Sequence, residues 1–151
     1  LQSELRFQSL YRSENLPRGC CHAYLFRDNL LFVGDAMGGV IDFGFEFNDV
    51  LLYDLALAAN DWCLGENGQL DAERTLSLLD SYHRTRALTD GERNAWPVML
   101  RAGALRFWVS RLHDYYLPRA GELTHVKDPA HFMHILKSHS AFHSELGEVW
   151  V

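Results

Sequence analysis

Basic residues are scarce in this chain of 151 residues: Lys and Arg total 14 against 20 Asp and Glu, for a net charge of -6. That balance disfavours a general nucleic-acid groove or an anionic-membrane surface, though not a local basic pocket. Cysteine is scarcer, with only Cys20, Cys21 and Cys63. An odd count with two adjacent residues is not a disulfide framework and points to a reducing cytoplasm. Nor do Cys20, Cys21 and His22 read as a zinc site, whose ligands come in spaced pairs. No apolar run approaches the roughly 18 residues that span a bilayer, and no basic-start, apolar-core signal peptide opens the chain. There is no Gly-x-Gly-x-x-Gly pattern and no Walker phosphate loop. The only lysines, Lys127 and Lys137, lie far downstream.

What is present is foldable. Apolar residues make up 48% and charged residues 23%, which fits one domain with its own core rather than disorder. The pattern predicts an α+β domain, mostly helical, with a small β-hairpin. LQSELRFQSLYRSENLP reads as a helix already in progress at Leu1, so the chain looks like a piece of something longer. Leu5, Leu10 and Leu16 offer its apolar contacts, and residues 17–19 break it. In LLFVGDAMGGVIDFGF, residues 30–33 and 40–43 read as strands around a six-residue turn, 34–39.

Helices follow. Residues 49–64 form one, ended by Gly65 and Gly68; Asp71 caps the next, with Leu76, Leu79 and His83 on one face. Thr89 and Glu92 make a capping-box pattern before a long helix. Val98, Ala102, Leu105, Val109, Leu112 and Tyr116 trace its predicted inner face, and Pro118 closes it. Asp128 then caps a last helix with Pro129 at its first position and Phe132, Ile135 and Leu136 inside. Trp62, Trp96, Phe107 and Trp108 read as packing residues.

The segment HAYLFRDNLLFVGDAMGGVIDFGFEFNDVLLYDLA, with NDWCL, LRFWVSRLHDYYLPRAGEL and KDPAHFMHIL after it, closely resembles bacterial homoserine kinases of the kinase-like, aminoglycoside-phosphotransferase-like superfamily. The resemblance covers nearly the whole chain and implies the C-terminal lobe of a kinase-like fold, residues 1–151, with a catalytic-like loop at 22–29 and a metal-loop hairpin at 30–43. It implies a cytoplasmic enzyme of threonine biosynthesis that moves the γ-phosphoryl group of ATP to the hydroxyl of L-homoserine with Mg2+. By resemblance His22 is the structural loop residue. Asn29 and Asp42 are the magnesium and cofactor ligands, and Asp49 and Asp54 are acids that brace the loops from the following helix. The chemistry agrees: phosphoryl transfer asks for positioning and charge neutralisation, and magnesium prefers oxygen ligands.

Two departures stand out. The family has Asp where this sequence has Tyr24, and a phenol is a poor base at neutral pH. Asp28, four residues on, is a weak substitute. The β-rich nucleotide lobe, with its phosphate-covering loop and aligning lysine, has no counterpart here, so a complementary N-terminal lobe or a homo-oligomer is the expected protein partner. Arg27, inside the loop, is either a phosphate contact or a bracing ion pair. Arg106, Arg111, His113 and Asp114 fall where the resemblance places the acceptor pocket. An arginine with an acid suits an amino-acid substrate, although Arg111 and Asp114 are also spaced for a plain intrahelical ion pair. His131, His134, His139 and His143 do not make a zinc signature and read as surface or packing residues. The alternatives are a noncatalytic degenerate lobe acting through protein association and a kinase for another small molecule; no nucleic-acid or membrane partner is expected.

Overall fold

The computed structural model describes residues 1–12, 15–117 and 127–150. Helix α1 (Gln2–Tyr11) precedes strand β1 (Arg18–Cys21), a 3-10 turn (Arg27–Asn29), and strands β2 (Leu30–Val33), β3 (Ala36–Val40) and β4 (Phe47–Val50). Helices α2 (Leu51–Trp62), α3 (Ala72–Thr85), α4 (Asp90–Tyr116), α5 (Pro129–Ala141) and α6 (His143–Gly147) complete the order before a terminal 3-10 turn. The mostly helical α+β class expected from the sequence is what forms. Among the described residues no helix is long and apolar enough to cross a membrane.

Capping chemistry sets the helix starts. Asp71 accepts the Arg74 amide at α3, Thr89 and Glu92 form a reciprocal capping box at α4, and Asp128 accepts the Ala130 amide at α5. Pro118, the expected stop of α4, lies outside the described residues.

Several expectations need correction, among them the second hairpin strand, which is Ala36–Val40 and not 40–43, and the inner face of α3, where Leu76 is exposed. The hairpin turn is two residues, not six: β2 pairs antiparallel with β3, with Val33 opposite Ala36. Gly34 takes φ 61°, the left-handed value that a type II′ hairpin turn needs at its first central residue, so Gly38 and Gly39 are free to lie in the strand. Asp49 begins no helix; it sits in β4, which pairs antiparallel with β1. On α4 the expected inner face holds at Val98 and Leu105 but ends in solvent at Val109 and Tyr116. Burial instead surrounds the helix from Ala95 to Phe107, where other elements enclose it.

Helix α2 lies at the junction of two apolar clusters. Leu52, Leu55, Ala56 and Ala59 pack with Leu79, Trp96, Met99 and Leu100; Leu57 packs with Phe26, Phe107, Phe132 and Ile135. A Cβ on Gly103 would meet Leu57 Cδ2 at 2.9 Å and Asn60 Nδ2 at 3.2 Å, so a larger residue there would have to displace these two buried side chains of α2. The N-terminal helix is held differently. Leu5 and Leu10, expected as contacts, are exposed, and Glu4 is buried instead, paired with buried Arg101 of α4.

His139 is 1% exposed. The Asn60 amide donates to Leu100 O (2.9 Å), so its Oδ1 accepts from His139 Nε2 at 2.7 Å. Burial pushes the His139 pKa down to about 4. A histidine neutral in the fold but free to protonate when unfolded contributes stability that is complete above about pH 6.5 and is lost as pH falls toward 4. Denaturant titrations across that window should show a loss on the order of 3 kcal/mol, and His139→Gln should flatten it. A pH-independent wild type would contradict this.

Candidate functional site

Residues 22–29 lie along one face of α2 and are fixed almost wholly through main-chain atoms. Asp54 accepts the amides of His22 and Ala23, each at 2.6 Å. Two helical turns further on, Asp61 Oδ2 accepts the Arg27 amide (2.7 Å) and Arg27 Nε (3.2 Å). Trp62 Nε1 donates to Leu25 O at 3.3 Å, and Arg106 reaches from α4 to donate to Ala23 O at 2.7 Å. Ala23 is fully buried with φ 63°. A left-handed alanine is costly, and these bonds on both sides of it hold it there.

His22 uses both ring nitrogens. Nδ1 accepts the Tyr24 amide (3.2 Å), so Nε2 carries the proton and donates to Ile41 O (2.9 Å). This single imidazole ties the loop to the segment after β3. Asn29 adds a second tie, because its carbonyl accepts the Ile41 amide at 3.0 Å. Asp42, the next residue, has φ 64° and an exposed side chain. Aspartate tolerates that conformation better than most side chains.

The donor set of Asn29 and Asp42 suits a hard cation. The Asn29 side chain is nearly buried and its Nδ2 donates to Tyr24 O at 2.7 Å. That bond orients the amide and leaves Oδ1 without a protein hydrogen bond among the described residues. Asp42 likewise has no ion-pair partner among them. One oriented amide oxygen and one uncompensated carboxylate, tied through Ile41, fit magnesium, which keeps most of its shell for water and phosphate.

Tyr24 packs by its ring against Phe26 (5.0 Å), Phe45 (5.6 Å) and Phe107 (5.2 Å). Asp28 is exposed and pairs with Lys127 at 2.7 Å, which holds its carboxyl below the usual carboxylate range. Arg27 is engaged by Asp61. Arg111 lies over the Phe132 ring at 4.4 Å and donates to Asp128 O at 3.3 Å. His113 and Asp114 are exposed and face each other at 3.5 Å. Asp49 pairs with Arg18 (3.0 Å) and Arg12 (3.5 Å) beside β1 and so sits apart from the loop that Asp54 holds. Sequence reading missed Asp61; its spacing of seven from Asp54, which puts both carboxylates on one helix face, was the available signal. The cysteines are free, and the described residues contain no group of three or more His, Cys, Asp or Glu able to hold a metal.

Exposed apolar side chains crowd the hairpin beside this site: Leu31, Phe32, Val33 and Met37, with Ile41 and Phe43 beyond.

A family model described as "Phosphotransferase enzyme family" matches residues 2–88. The homoserine kinase of Methylobacillus flagellatus is 53% identical over 151 residues, which is 100% of this chain and 47% of the relative. That of Methylobacillus glycogenes is 48% identical over 151 residues, 100% of this chain and 48% of the relative. A homoserine kinase from a Janthinobacterium species is 46% identical over 142 residues, 91% of this chain and 44% of the relative. The chain spans about half the length of these curated relatives.

Proposed function

The chain belongs to the phosphotransferase enzyme family, within its bacterial homoserine kinase branch, and on that premise we propose that it forms the acceptor and metal-binding half of an ATP-dependent homoserine kinase. The complete protein transfers the γ-phosphoryl group to the side-chain hydroxyl of L-homoserine: the hydroxyl oxygen forms the new bond to phosphorus and releases its proton to solvent, the bond from the γ-phosphorus to the β,γ-bridging oxygen breaks, and ADP leaves. The product, O-phosphohomoserine, places the reaction in threonine biosynthesis.

The observation that carries this reading is the loop 22–29, ending in Asn29 and tied through Ile41 to Asp42. Such transfer is catalysed by positioning and electrostatics. Asn29 and Asp42 would hold Mg2+, which neutralises phosphate charge when bound. Asp54 and His22 keep the loop in register with the segment carrying Asp42. Tyr24 stands where the acceptor hydroxyl would give up its proton and offers no ready base there, so the chemical step is slow.

A second reading, a degenerate lobe that acts by association, draws support from the packing of Tyr24 on three phenylalanine rings and from the exposed apolar hairpin. One assay separates the two. The chain is joined to the N-terminal half of one of its homoserine kinase relatives, and ADP formation in magnesium-ATP is compared with and without homoserine. Slow, homoserine-dependent turnover is the expected result. Nucleotide binding without any turnover would favour the degenerate lobe, and transfer to a different hydroxyl compound would displace homoserine as the substrate.

A further inference from the structure

A cavity of about 400 Å³ opens between the start of α3, the first half of α4, the end of α5 and α6. Leu70, Leu76, Phe142, Leu146 and Val149 supply its apolar walls, with Leu76 and Phe142 exposed to solvent. None of its lining residues belongs to loop 22–29 or to the segment that carries Asp42. Two of them are buried and hold unused polar atoms. Trp96 is 0% exposed, and its indole Nε1 has no hydrogen-bond partner. His139 spends Nε2 on Asn60, and its Nδ1 makes no hydrogen bond among the described residues. Because Nε2 carries the proton, Nδ1 is an acceptor. A buried donor and a buried acceptor are each costly without partners, and finding both on one cavity asks for an occupant.

Size and charge narrow the choice. The volume suits a small molecule, and apolar walls with a few polar groups are the usual make-up of such a site. Glu145 and Glu148 are on the lining, and no lysine or arginine is, so a carboxylate or a phosphate is disfavoured there. A hydroxyl group both donates and accepts, so it can answer either buried group. We propose that this cavity is a second ligand site, for a small uncharged molecule with an apolar body and a hydroxyl held by Trp96 and His139, a phenol being the type. The site stands apart from the phosphoryl-transfer reading and does not depend on it.

The test is a binding measurement on the full chain, by calorimetry or amide chemical shifts, with 4-ethylphenol, ethylbenzene and 4-ethylbenzoate. Transfer out of water alone would favour ethylbenzene over the phenol. The cavity should reverse that order, with 4-ethylphenol bound about 10-fold more tightly than ethylbenzene and 4-ethylbenzoate more weakly than either. Trp96→Phe keeps a ring and removes the N–H, and His139→Gln removes the imidazole acceptor. Loss of the phenol preference in either variant, or in both, supports the assignment; a preference unchanged in both overturns it. Leu76→Trp places a larger ring on a solvent-exposed wall, where folding is not at stake, and should weaken 4-ethylphenol and ethylbenzene together. No saturable binding of 4-ethylphenol would leave the two polar groups to buried water and overturn the site. So would equal binding of ethylbenzene, or displacement of the phenol by magnesium-ATP or L-homoserine.

Discussion

Tyr24→Asp is expected to raise homoserine phosphorylation by the joined protein by about 10²- to 10⁴-fold, the range that a positioned general base contributes. The frame around position 24 is made of main-chain bonds: Asp54 holds residues 22 and 23, Arg106 holds Ala23 O, and Asn29 holds Tyr24 O. None of them uses the Tyr24 side chain, so a carboxylate placed there inherits the loop geometry. Tyr24→Asn is the control, similar in size but unable to accept the proton, and should give no comparable gain. The gain has an opposing cost. The half-buried Tyr24 ring touches Phe26, Phe45 and Phe107, and its removal should lower stability by about 1–3 kcal/mol. Turnover and urea denaturation, measured on the same preparations, separate these effects. A folded Tyr24→Asp protein with unchanged turnover would show that the phenol is not what limits the reaction.

Arg101→Ala should be the most damaging single change to stability among the ion pairs, at about 3–5 kcal/mol. Glu4 and Arg101 are 6% and 7% exposed. Arg101 Nε donates to Glu4 Oε1 at 3.1 Å, a second nitrogen engages Oε2, and the guanidinium stacks 3.4 Å from the centre of the Phe7 ring. Gln8 adds a bond to the same carboxylate at 3.1 Å. Removing one partner strands the other charge away from water. Replacing both with apolar residues, as in Glu4→Leu with Arg101→Met, should cost far less. Urea denaturation of the two single variants and the double variant gives the coupling energy directly. Additive losses would mean that water reaches the pair.

How legible was this molecule? Helices that begin with a capping residue were readable, because Asp71, Thr89 and Asp128 act within a few residues of themselves. The β1–β4 pairing was not. RGCC and FNDV show no clean alternation, and Cys21 meets Phe47 only after the loop and hairpin close between them. The turn was misread because three glycines compete for it, and only the backbone angle at Gly34 decides. At the site, residue types with a familiar pattern could be picked out, and the spacing of seven from Asp54 was the one signal for Asp61; the bonds of Trp62 to Leu25 O and of Arg106 to Ala23 O had none. These three residues act on main-chain atoms 34, 37 and 83 residues away, so the partner of each bond is set only by the fold.

That reliance on main-chain anchors separates the shape of the loop from the identity of its side chains. A lineage that fixes tyrosine at position 24 forfeits little architecture, so the change can persist without unfolding pressure to purge it. Tyrosine and aspartate codons lie one base apart. On the function proposed above, the change at this position is therefore an easily reversed event, and selection for turnover in a host that depends on the gene should recover aspartate before any other remedy.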